Sequence, residues 1–192
     1  MIDLETTGFN PPGGDEIISV GAVLIRGGKI HRRLSFDRLI NPYRNIPENM
    51  IRLTGICPNQ ISKTDSIYKV MPDFLSFIGG HVLIGHTVQF DLSFLNRKLK
   101  SCRTKIHNKS LDTADLAQAL LPTLSNYSLD RVSARFNIGN EGRHTALGDA
   151  LLTARLFLTL LDLDFEKNTA RWCDLDLCLK LAGQFQLDTF GI

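Results

Sequence analysis

Two periods organise the apolar and polar positions of this chain. Residues 16–26 (EIISVGAVLIR) form a continuous β-branched, apolar run, the pattern of a buried strand. Gly27-Gly28 supplies a turn, and residues 29–40 (KIHRRLSFDRLI) return as a second strand, which predicts a hairpin. Residues 2–5 read as the end of a preceding strand, with NPPGG at 10–14 as the loop between. A short helix is predicted behind Pro47, closing at Gly55. Residues 67–78 have helical spacing interrupted by Pro72, residues 81–85 (HVLIG) form a short buried strand, and residues 89–100 a helix. Leu111 lies in a short strand before a helix that stops near Pro122, and Ser128 caps residues 129–136. The strongest helix covers 144–161, with Leu147, Leu151, Ala154, Leu158 and Leu161 in one stripe and further apolar residues on other faces. A weaker helix is expected over 170–185. A hairpin followed by alternating helices and strands argues for an α/β fold with a mixed sheet.

Composition narrows the class. The 192 residues are 43% hydrophobic and 22% charged, values of one globular domain that exclude a fully disordered chain. The sequence has no 18-residue apolar run and opens without a basic or apolar leader, so neither a membrane span nor secretion is expected. Four cysteines without a CxxC give no zinc signature, and a reduced, cytoplasmic setting is the expectation. The net charge of +2 divides into a basic body and an acidic tail. Arg97, Lys98, Lys100, Arg103, Lys105 and Lys109 form a block without an acid. Such a block either meets phosphate backbones or is a solvated helix end and loop.

Candidate chemistry lies in isolated acids. Asp3 and Glu5 are two apart on a strand, so both carboxylates share one face. Side by side they repel, and a divalent cation relieves that repulsion; an exposed polar edge is the alternative. Asp91 opens a helix after a buried strand, where an acid also complements the helix terminus. Asp149 lies inside the most apolar helix, where a carboxylate costs several kcal/mol unless paired, hydrogen-bonded or bound to metal. His144 stands five residues earlier, at the helix entry.

The order DLETTG, HTVQFDLSFL and HTALGDALLTARLF resembles the DEDDh 3′–5′ exonucleases, the family of the proofreading subunit of bacterial DNA polymerase III. The resemblance covers residues 1–162, with SLDTADLAQALLP and YSLDRVSARFNI at family-like separations. It implies a ribonuclease-H-like α/β fold, a mixed five-stranded sheet with helices on both faces. It implies an exonuclease domain over 1–162; residues 163–192 match nothing in the family and are expected to be a helical extension packed on the same domain, or else a docking helix. Asp3, Glu5, Asp91 and Asp149 match the four acids that hold two Mg²⁺ or Mn²⁺ ions, and His144 matches the histidine general base. Thr6 and Thr7 match the turn that holds the terminal nucleotide, and Leu53 and Thr54 the segment against the last bases. His86 and Phe90 complete a small, partly apolar base pocket.

The implied reaction releases nucleoside 5′-monophosphates from single-stranded or mismatched DNA 3′ ends. An exoribonuclease trimming RNA 3′ ends, or a non-catalytic nucleic-acid-binding module, is the alternative. A DNA polymerase subunit or a second copy of the chain is the implied protein partner. Besides residues 163–192, the sequence departs from the family in two places. Only Met1 and Ile2 precede Asp3, which predicts a short first strand, and Thr87 follows His86 where the family commonly has Asn. Thr lacks the amide's combined donor and acceptor.

Overall fold

A computed structural model describes the protein over residues 1–167, with side chains to residue 163. The helix expected over 170–185 lies outside the described residues.

Strand β1 (Ile2–Thr6) pairs antiparallel with β2 (Ile17–Arg26), and β2 with β3 (Lys29–Leu39). Gly27 and Gly28 both adopt positive φ, 56° and 69°, the left-handed pair that a two-residue hairpin turn requires. Helices α1 (Glu48–Thr54), α2 (Pro58–Ile61) and α3 (Ile67–Ile78) follow. α1 ends as predicted, with Gly55 at φ 69° donating its N–H to Ile51 O. Pro72 does not break α3; its missing N–H costs one bond while Ile67, Val70, Met71, Phe74 and Ile78 bury a single stripe.

The chain then alternates through β4 (Leu83–Gly85), α4 (Val88–Lys100), β5 (Ser110–Asp112), α5 (Thr113–Leu120), α6 (Leu129–Arg135) and α7 (Ala146–Lys167). β4 and β5 pair in parallel, with Gly85 opposite Asp112. β4 abuts β1, since a Cβ on Gly85 would stand 3.3 Å from Ile2 O. The five strands are therefore present, with their hydrogen bonds divided between a three-stranded antiparallel and a two-stranded parallel ladder. β1 is short, at five residues against ten in β2.

Helices cover both faces. Ile2, Leu4, Val20, Ala22 and Phe36 pack with α3 and α4, and Phe36 meets Phe74 edge-on at 5.4 Å. Val23 on the opposite face of β2 packs with α5, α6 and α7. Period-2 alternation that sends Ile2 and Leu4 to the first layer sends Asp3 and Glu5 to the other.

α7 corrects one expectation. Of the expected stripe only Ala154 is fully buried, and Leu147, Leu151, Leu158 and Leu161 are half-buried, whereas Ala146, Asp149, Ala150, Leu152, Thr153, Leu156, Phe157 and Leu160 are buried. The most buried face includes an aspartate and a threonine, so the leucine rows on its flanks dominate the hydrophobic count. The expected domain boundary at residue 162 falls within α7, which continues to Lys167. Among the described residues, no helix is long and apolar enough to cross a membrane.

Candidate active site

The site is assembled where β1 meets the start of α7. β1 holds Asp3 opposite Gly21 and Glu5 opposite Ser19, then breaks register between Glu5 and Thr6. That irregularity ends regular pairing and begins the Thr6–Thr7 turn. α7 brings Asp149 in its first turn, where the Asp149 N–H donates to Thr145 O at 2.8 Å. Close approach is built from glycine. A Cβ on Gly148 would stand 1.8 Å from Gly142 O, so only Gly lets the preceding loop fold tightly over the helix.

Carboxylate oxygens of Asp3, Glu5 and Asp149 lie within 4.8 Å of one another. Asp91, buried in the first turn of α4, stands outside that trio, but its charge reaches Asp3. The backbone N–H groups of Asp91 itself and of Leu4 in β1 partly oppose the effect of burial on the Asp91 carboxyl. Removal from water pushes the Asp3 carboxyl well above its usual range, and the charges of Asp91, Asp149 and Glu5 push it further. Burial, then the Asp149 charge, raises Glu5 to about 7. Burial likewise raises Asp91 and Asp149, and Arg143 opposes the shift at Asp149. Hard oxygen donors in mutual repulsion fit a divalent cation, and a guanidinium already shows that a positive charge is accepted there. Arg143 Nη1 donates to Asp149 Oδ2.

His144 adopts φ 64° at the entry to α7, and its backbone N–H donates to Asp149 Oδ1 at 3.2 Å. Its imidazole is half-buried, close enough for its charge to act on Asp149 and Asp130.

The residues expected to hold substrate divide into two groups. Thr6 Oγ1 donates to Gly8 O at 2.6 Å, and Thr7 Oγ1 accepts the Glu16 N–H at 3.0 Å while facing Asp15. Both hydroxyls fasten the turn, leaving its shape as the feature presented outward. Thr54 is buried and donates to Met50 O at 2.9 Å, whereas neighbouring Leu53 is exposed. Both lie on α1, whose Met50 packs against Ile18 of β2. His86 has both ring nitrogens engaged, Nε2 with Tyr127 O at 2.7 Å and Nδ1 with Thr113 Oγ1 at 2.9 Å. The carbonyl accepts only, so Nε2 carries the proton; burial holds the imidazole below its usual pKa. His86 thus fastens the β4–α4 connection to α5 and the loop before α6. Phe90 is half-buried against Phe94 and Phe9, with ring centroids 5.0 and 6.2 Å away.

The profile of the Exonuclease (RNase_T) family matches residues 1–157. The chain belongs to the exonuclease family. It is 39% identical over 163 residues to "DNA polymerase III subunit epsilon" of Aquifex aeolicus, covering 84% of this chain and 79% of that one. A "DNA polymerase III subunit epsilon-like protein" of Rhodobacter capsulatus is also 39% identical over 84% of this chain, which spans only 23% of its length. Among solved structures, the nuclease domain of 3′hExo, "a DEDDh family member, bound to rAMP", superposes with a TM-score of 0.73. That alignment covers 84% of this chain and 90% of the other at 22% identity, a likeness of fold. The protein is thus an enzyme of the 3′–5′ exonuclease class, on the α/β fold its motifs imply.

Asp112, Phe9 and Arg143 escape the sequence reading, which also sees in Thr87 only a departure from the family and not its backbone role. Asp112 accepts the N–H groups of Thr87, Val88 and Ala114, each at 2.9 Å, and so caps α5 and the start of α4 together. Its only sequence signal is an acid before a helix. Thr87 takes φ 64°, and its backbone supplies the contact to Asp112. Phe9, exposed and following the Thr-Thr-Gly turn, extends the aromatic surface of Phe90. Arg143 carries no signal beyond its charge.

Proposed function

We propose that this exonuclease removes nucleoside 5′-monophosphates from DNA 3′ ends, preferring single-stranded or mismatched termini. The observation that carries the reading is the trio of Asp3, Glu5 and Asp149 oxygens within 4.8 Å, with His144 hydrogen-bonded through its backbone to Asp149. Asp3, Glu5, Asp91 and Asp149 would hold two ions, Mg²⁺ or Mn²⁺. When bound, such ions stabilise the attacking and leaving oxygens of an in-line displacement and make hydroxide available near neutral pH.

The chain's own residues do the rest. His144 takes the proton of the attacking water on its imidazole. Asp91, buried in the first turn of α4, brings a fourth carboxylate to bear on Asp3. The Thr6–Thr7 turn places the terminal nucleotide, and Phe90 with Phe9 offers a ring surface that stacks on any base without reading its edge. Leu53 packs against the last bases from α1. The terminal base must leave its stack to bring its phosphodiester to the acids, and unpairing costs least at a mismatch. Residues 1–162 form the catalytic unit on this reading. The polymerase in the Aquifex protein's name makes a polymerase subunit the protein partner to test.

The test uses matched DNA and RNA oligonucleotides, labelled at either end, with Mg²⁺, Mn²⁺ or EDTA. The 3′ label should leave as a mononucleotide 5′-phosphate while 5′-labelled strands shorten stepwise, single strands fastest and paired blunt ends slowest. Cleavage of a circular single strand, release of 3′-monophosphates, or full activity in EDTA would overturn the reading. Faster digestion of RNA than of DNA would reassign the substrate.

A further inference from the structure

We propose that Arg143 is a resident counter-ion of the carboxylate site, which yields Asp149 to an incoming divalent cation and stays held by Asp130. The proposal rests on the reading that these acids bind such a cation. Arg143 makes two different attachments. Its Nε and Nη2 donate to Asp130 Oδ1 and Oδ2 at 2.6 and 3.1 Å, a side-on fork. Its Nη1 donates to Asp149 Oδ2. The fork uses two parallel hydrogen bonds and is the stronger attachment.

The two carboxylates differ in what else they do. The Asp130 side chain is 55% exposed, on α6. The Asp149 side chain is 6% exposed, and its oxygen lies with those of Asp3 and Glu5. Both Asp149 oxygens are already taken in the described structure, Oδ1 by the His144 N–H and Oδ2 by Arg143. An ion drawing on Asp149 Oδ2 must compete with the guanidinium. The long Arg side chain can give up that single bond and keep the fork to Asp130. The loop thus supplies the acids with a positive charge of the chain's own, and an incoming ion with a competitor. Arg143 precedes His144 directly, so its shift would also alter the neighbourhood of the proposed base.

Mn²⁺ binding to the full chain without nucleic acid, followed by titration calorimetry and by the free-ion electron paramagnetic signal, tests this. The wild type should bind Mn²⁺; no binding would sink the site reading and the proposal with it. Arg143→Gln should lower the metal-free melting temperature yet tighten Mn²⁺ binding by roughly tenfold, as loss of one nearby like charge predicts. A purely structural clamp between α6 and α7 would instead weaken binding or leave it unchanged, and either result overturns the proposal. Asp130→Asn leaves the guanidinium with Asp149 as its remaining acid, so Mn²⁺ should bind several-fold more weakly. In the Arg143→Gln background that second change should have little effect; equal weakening in both backgrounds would mark a simple loss of charge. A Mn²⁺-loaded crystal structure provides a check independent of the variants. Arg143 should keep Asp130 and no longer donate to Asp149, and a guanidinium still on Asp149 Oδ2 beside the bound ion would overturn the proposal.

Discussion

Gly21 of β2 lies so close to Ala146 at the start of α7 that a Cβ on it would stand 2.1 Å from the Ala146 carbonyl carbon. Gly21 also pairs with Asp3 in the ladder. One glycine therefore sets how near α7 comes to β1, and with it the distance from Asp149 to Asp3. Backbone cannot yield as a flexible side chain can. Gly21→Ala should cost roughly 2–3 kcal/mol, as overpacking does, and should lower exonuclease activity more than stability alone explains. Thermal melting and turnover on a single-stranded oligonucleotide check this. Gly27→Asn, at a positive φ with nothing within 4 Å of the added Cβ, is the control and should change neither much.

Removing one of the acids proposed to hold metal tests the site directly. Asp3→Ala or Asp149→Ala should reduce activity by more than about a hundredfold, because bound ions supply several kcal/mol of charge stabilisation. Mn²⁺ should raise the melting temperature of the wild type, since a ligand of the folded state stabilises by mass action, and should raise that of either variant less. Equal thermal shifts in wild type and variants would place the ion elsewhere.

The pH dependence of the metal-free protein follows from Glu5. Its pKa of about 7 when folded lies above the 4.5 of an ordinary glutamate, so the folded state holds a proton that the unfolded chain has released. That stabilisation is complete below about pH 4.5 and is lost as the pH rises through 7. It amounts to on the order of 3 kcal/mol for this group. The metal-free melting temperature should therefore fall between pH 5 and pH 8, and the rise produced by Mg²⁺ should be larger at pH 8. A melting temperature that climbs over that interval without metal would contradict the shared-charge account of the site.

His144 has a left-handed backbone, so Asn, which tolerates positive φ, is the informative replacement. His144→Asn should lower turnover by roughly 10²–10⁴-fold while leaving oligonucleotide affinity nearly intact, as removal of a general base does. The rising limb of the pH–rate profile should disappear. An unchanged profile would make His144 a helix-entry residue whose backbone N–H alone serves Asp149.

The strands were legible because β2 is a continuous apolar run and the double glycine after it admits one turn geometry. Asp3 and Glu5 were legible because period 2 is rigid, and the structure keeps them on one face with Asp149. The buried face of α7 was not, because Ala146, Asp149, Ala150 and Thr153 register as small or polar. Their burial comes from close contact with β2 at Gly21, a tertiary fact. Asp112 was hidden for a similar reason. Its cap of α5 is local, but its bonds to Thr87 and Val88 depend on the parallel register of Gly85 with Asp112. The roles of the Thr6 and Thr7 hydroxyls and of the His86 ring were masked by motif position, which does not reveal which polar atoms already have protein partners.

The basic block at 97–109 is divided by the structure. Lys98 is buried and paired with Glu16, on the loop that follows the Thr6–Thr7 turn, so it braces α4 against that loop. Arg97, Lys100, Arg103, Lys105 and Lys109 are exposed. Asp91 stands in the first turn of α4, and Arg97 and Lys100 in the last, so these charges lie roughly 9 to 14 Å along the helix axis from Asp91, with Arg103 and Lys105 beyond the helix end. That spacing suits phosphates upstream of the cleaved bond, which a long single strand has and a dinucleotide lacks. Reversing Arg103 and Lys105 to Glu should weaken binding of a twenty-nucleotide strand several-fold and flatten its salt dependence, because fewer counterions are released. Affinity for a dinucleotide and the melting temperature should stay near wild type. Lys98→Met should behave oppositely, lowering stability and disturbing turnover on short and long substrates alike, through the unpaired Glu16. If the Arg103 and Lys105 reversals leave both affinity and salt slope unchanged, the block is a solvated surface and the strand leaves the site in another direction.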